Sequence, residues 1–221
     1  MDQRELIDAI GRHLDATSEL VHWALFLAIV FLWAGLAKQD PISVLGMNVA
    51  RTQALTVACG FYLVVNVVVS MHFLRIGDIL QNITDENFIA ALTKLSTHRW
   101  AANPFAYFNG GLPSRIHSSL GFGVLIVVWW IGNASLYALS DNAMTPIGLV
   151  LQGVFLVIGL GSMQAVQRVL PIVLQRLEAL APALALEVRA TVPYRAAFSL
   201  LGIGLGALVA YAIIGSSVLS M

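Results

Sequence analysis

Two imidazoles on neighbouring helices can ligate haem iron or another metal through their neutral ring nitrogens, and His22 and His72 stand where this could happen. His22 is two residues into an apolar run, His72 is two from the end of the next, and His117 immediately precedes a third. The competing reading leaves these rings wet among lipid headgroups. No carboxylate lies within the runs that carry His22 and His72, whereas metal-bound histidines are normally oriented by such an acceptor. The expectation is a protein without metal or cofactor, and His22 and His72 are the ligands of the alternative in which haem is held.

Asn66, Asn133, Ser135 and Gln152 are polar side chains in the middle of apolar runs, where each needs a partner because hydrocarbon offers none. Asn133 and Gln152 reach similar depth on either side of the short segment 140–146. They can bond to each other across antiparallel helices, for about 0.6–2 kcal/mol. The same four residues would line a pore if several chains assembled. Gly202, Gly206 and Ala210 recur every four residues, a spacing that leaves a smooth groove for another backbone, of this chain or of a second copy.

Motifs for familiar chemistry are missing. The sequence contains no GxxxxGK[ST], HExxH or GxSxG and no pair of acids within an apolar run. ATP hydrolysis, zinc proteolysis, serine hydrolysis and a carboxylate proton relay therefore lack their parts. The single cysteine, Cys59, leaves no partner for an internal disulfide or a CxxC pair. No enzymatic activity is expected.

The elements that must position these residues follow from composition. The 221 residues are 58% hydrophobic and 11% charged, too few charges to coat a water-facing globule, which carries about 25%. Lys plus Arg balance Asp plus Glu at 12 each, so no net field draws the chain to nucleic acid. About 20 apolar residues cross the roughly 30 Å of bilayer hydrocarbon. Five runs free of Asp, Glu, Lys and Arg approach or exceed that length: 20–37, 53–74, 118–139, 147–166 and 197–219. Ten of the twelve basic residues fall in the N-terminal arm and in segments 75–117 and 167–196, against Lys38 and Arg51 on the other side. The positive-inside rule then places the N-terminus in the cytoplasm and Met221 outside.

The long basic segments carry helical patterns of their own. Thr84 can cap a helix that presents Phe88, Leu92 and Leu95 on one face, ended by the Asn103 to Pro113 cluster. Leu170, Leu174, Leu177 and Leu180 form a stripe on a helix that continues the fourth run out of the membrane, with Pro171 expected to kink it. Residues 1–19 make a cytoplasmic amphipathic helix through Leu6, Ile7, Ile10 and Leu14, and residues 20–221 a single transmembrane unit.

The fold expected is an all-α integral membrane protein, a five-transmembrane-helix bundle with a small cytoplasmic helical layer, in a cell membrane such as the bacterial inner membrane. The function expected is that of a non-enzymatic multi-pass component, a subunit, scaffold or small effector that works through helix packing. Membrane lipid and a homo-oligomer or membrane complex are its expected partners. A self-associating pore, channel or transporter is the first alternative, and a haem-binding electron-transfer subunit the second.

Overall fold

The computed structural model describes residues 2–106, 111–140 and 146–218, with some side chains within 111–139, 146–180 and 192–218 excepted. The chain is mostly helical. The first helix, α1 (Gln3–Leu36), is capped by Asp2, whose Oδ1 accepts from Arg4 N at 3.1 Å. No proline interrupts it, so the N-terminal arm and the first apolar run form one continuous rod of 34 residues, about 51 Å long. Its buried face reads Ile10, Leu14, Thr17, Val21, Ala24, Ala28 and Phe31. These alternate steps of three and four give the 3.5-residue period of close helix packing.

A two-stranded antiparallel hairpin follows, β1 (Ile42–Val44) and β2 (Met47–Val49), pairing Ile42 with Val49 and Val44 with Met47. The sequence reading did not foresee it. Leu45 and Gly46 turn the chain with φ of 51° and 81°, the left-handed values that a two-residue hairpin turn needs. Buried Ile42 anchors the hairpin in a small core with Ala28, Phe31, Tyr62 and Leu139.

Helix α2 (Arg51–Asn82) leads into α3 (Asp85–Ser96), and α4 (Gly111–Leu139) into α5 (Pro146–Leu180), which continues through Pro171. Then come α6 (Pro182–Arg189), with proline in its first turn where no N–H is required, and α7 (Val192–Val218). Among the described residues, α1, α2 and the Arg115–Leu139 stretch of α4 are long and apolar enough to cross a membrane. The runs at 147–166 and 197–219 fall on α5 and α7 apart from residue 219.

Neighbours in the bundle are mostly not neighbours in sequence. α1 lies between α2 and α4, α4 also packs on α7, and α2 on α5. The C-terminal ends of α1 and α4 meet at one end of the bundle, where a Cβ on Gly35 would come 2.7 Å from the Ala138 carbonyl carbon. These two helices therefore run parallel. α4 and α7 also run parallel, with Gly123 facing Phe198 and Gly202 in the other helix. The main core gathers at the opposite, charged end, where Phe73, Phe88, Leu92 and Phe105 are fully enclosed with the first turns of α1.

Candidate functional site

Three arginines hold the ends of the bundle. A guanidinium carries five donors in a planar fork, and helix C-termini offer unpaired carbonyls with partial negative charge. Arg51, at the start of α2, donates to Ala138 O at 2.7 Å, Leu139 O at 3.2 Å and Gly35 O at 3.3 Å. It thereby ties the C-terminal ends of α4 and α1 together. At the charged end, Arg176 of α5 does the same for α2, donating to Leu80 O at 2.8 Å and Ile83 O at 2.6 Å. It also pairs with Asp85 and covers the Phe88 ring at 4.3 Å. Arg195 of α7 is buried, donates to Pro104 O and lies over Phe122.

The segment 97–106 is locked beneath the bundle by its own polar groups. Asn103, with no exposed surface, donates to Leu95 O at 2.8 Å and accepts from Phe105 N at 2.9 Å. This local turn places Phe105 edge-on to Phe73. His117 bonds Ala101 O at 2.8 Å. His98 Nδ1 accepts from Trp100 N at 3.2 Å, so its proton resides on Nε2, which faces Asp15 Oδ1 at 3.3 Å. Arg99 reaches the same oxygen at 3.3 Å.

These contacts form the floor of a groove of about 760 Å³ along α1. Asp15, Ser18, Glu19 and His22 supply its polar half, with His98 and Arg99 across from them. Trp23, Phe26 and the hairpin residue Leu45 supply an apolar half that is open to the outside. Trp100 also lines it, and its buried Nε1–H has no acceptor among the described residues. Among these residues, no group of three or more His, Cys, Asp and Glu side chains is arranged to hold a metal ion.

His72 does not face His22. Its Nδ1 lies 2.8 Å from Nδ1 of His13, while His22 is nine residues, or about 13 Å, further along the same helix. The unbroken length of α1 sets this register, because the antiparallel α2 runs past the arm as well as past the apolar run. Burial lowers the His13 pKa from the ordinary histidine value, and the neighbouring His72, Arg12 and Arg75 push it the same way. Sequence reasoning passed over His13 because it lies before the first apolar run. Its place beside buried Ile10, Leu14 and Thr17 was the available signal.

The mid-run polar residues divide. Asn66 donates to Tyr62 O at 2.7 Å and lines a cavity of about 50 Å³ with Val21, Val65 and Trp129. Such a space holds a few waters at most. Buried Ser135 donates to Gly132 O at 2.7 Å, and its Oγ lies 3.3 Å from the Tyr62 hydroxyl. Asn133 is partly buried on α4, but the side chain of Gln152 lies outside the described residues, and with it the Asn133–Gln152 pair. Gly202 packs against α4 of the same chain, where a Cβ would meet Gly123 O at 3.3 Å. Gly206 and Ala210 also lie outside the described side chains. No family model matches this chain, and no curated protein or solved structure does either.

Proposed function

We propose that this protein is a non-enzymatic, multi-pass membrane component, a subunit or scaffold built to hold a fixed helical framework with one charged face. The observation that carries this reading is the use made of its arginines. Arg51, Arg176 and Arg195, the charged groups nearest the bundle interior, all donate to backbone carbonyls of other elements. Side chains that could have served a substrate or an ion instead clamp one helix to the next. Exposed apolar residues such as Trp33, Val57, Val64, Leu200 and Leu208 support contact with lipid, since large apolar surfaces are rarely left to water.

In this reading all of α1, α2, α4, α5 and α7 cross the membrane, with the N-terminus and the charged end in the cytoplasm. Reporter fusions after Met221 test it. An external signal is expected, and a cytoplasmic one overturns the five-span count. Crosslinking in intact membranes tests the subunit role through discrete adducts with a second copy or another protein. A monomer without adducts removes that role. The pore reading draws no support from the Asn66 cavity, which at about 50 Å³ is far too small for a conducting path in a single chain.

A further inference from the structure

We infer that the groove along α1 holds one ethanolamine phospholipid from the cytoplasmic leaflet, its phosphate on Arg99 and its ammonium on Glu19. The inference rests on the membrane-embedded reading above, which gives the groove its orientation.

Length is the first argument. From Asp15 to Phe26 the groove follows α1 for about 16 Å at 1.5 Å per residue, crossing residue 20 where the apolar run begins, so that it spans the headgroup layer and the adjoining part of one leaflet. Polarity is the second. The residues are sorted along the axis as a lipid is, with charged groups at the cytoplasmic end and exposed Trp23, Phe26 and Leu45 towards the bilayer centre. Trp23, three residues past the start of the apolar run, is of a type favoured at the boundary between the two zones.

Charge selects the headgroup. Asp15 is already paired with His98 and Arg99. The Arg99 side chain is nonetheless 88% exposed, so its fork keeps donors free for a phosphate. Glu19, exposed one helical turn beyond Asp15, adds a carboxylate that attracts a primary ammonium and repels a headgroup of net negative charge. The Trp100 indole, which is 3% exposed, brings a buried N–H without an acceptor to the groove wall. Buried donors are normally satisfied, and a lipid phosphate or ester oxygen is an acceptor that the described residues do not offer this one.

The test is native mass spectrometry of the full-length protein, stripped of lipid and exposed to an equimolar mixture of phosphatidylethanolamine and phosphatidylglycerol. One ethanolamine lipid is expected to persist, several-fold preferred over the glycerol lipid. Glu19→Gln should abolish the preference, and Arg99→Gln should weaken retention of both lipids. Glu187→Gln, at an exposed position of α6 outside the groove lining, should change neither. Equal retention by the wild type, or a preference that survives Glu19→Gln, overturns the inference. Extraction of membranes with alkaline carbonate separates the two failures. Protein released by carbonate defeats the membrane reading itself, whereas protein that stays with the membrane but shows no lipid preference defeats only the groove.

Discussion

His13 and His72 join α1 to α2 through Nδ1 atoms 2.8 Å apart, with ring centroids 5.1 Å apart and planes tilted by 54°. One ring must donate and the other accept, so the contact tolerates a single proton between the two nitrogens. A second proton, on the accepting Nδ1, would set two N–H donors against each other and make one ring positive with Arg12 and Arg75 nearby.

The sign of the pH effect follows. The folded state holds the His13 pKa below its ordinary value of about 6.5. Stability is therefore complete above that value and is lost as pH falls through the lowered one. Thermal unfolding in detergent is expected to show a lower midpoint at about pH 5 than at about pH 8. His72→Gln, whose amide can still donate or accept, should fold normally and lose less over the same interval. An equal loss in both proteins would assign the pH effect elsewhere.

Arg51 should be the most costly single cation to remove at its end of the bundle. Hydrogen bonds to charged groups contribute about 1.5–3 kcal/mol, and Arg51 makes several to two helix ends. Arg51→Met is expected to lower stability by about that amount. Arg51→Lys should restore only part, since an ammonium lacks the fork that spans both helices. Full rescue by lysine would reduce the clamp to its charge alone.

Gly202 and Gly204 form a matched pair on α7. A Cβ at Gly202 meets α4, whereas one at Gly204 meets nothing within 4 Å among the described residues. Gly202→Leu is expected to loosen the fold, because backbone must move to admit the side chain. Gly204→Leu should be neutral or slightly stabilising, as glycine is disfavoured within helices. Loss of an oligomer on native gels with Gly204→Leu would assign that face to a second copy.

Asn103→Ala removes the donor to Leu95 O and the acceptor of Phe105 N–H. Each buried group left unpaired costs about 1–3 kcal/mol. The expected signature is local as well as global, with faster protease cleavage within 97–106 and a lower unfolding midpoint. Unchanged cleavage would mean that Phe105 and Arg195 hold the segment without the turn.

Much of the helical layout was legible because long apolar runs and local stripes are properties of single segments. Phe88, Leu92 and Leu95 are all buried on α3, and the stripe through Leu177 continues α5 as its spacing implied. Thr84 stands at the N-cap position, although its hydroxyl receives Asn87 Nδ2 at 2.9 Å and caps no backbone N–H. The hairpin was hidden because its turn is Leu45-Gly46, without the Asn-Gly or Asp-Gly signal. The long packing face of α1 was hidden by small residues, Thr17, Ala24 and Ala28, which carry weak apolar signals but allow close approach. The roles of Arg51, Arg176 and Arg195 depend on carbonyls roughly 90 residues away in sequence. No local pattern encodes such partners.

The parallel pairing of α1 with α4 sets a timetable for biogenesis. Roughly a hundred residues separate their C-terminal ends, so at about 5–20 residues per second α1 waits about 5–20 s during synthesis before its partner is complete. Until then the Gly35 face, shaped for the backbone at Ala138, stands without it, and Arg51 has Gly35 O within its reach but not the α4 carbonyls of Ala138 and Leu139. The growing chain thus holds a polar clamp before the second of the two helix ends it will join exists. Insertion machinery that shelters α1 and α2 together over this interval would match the order in which the contacts become available.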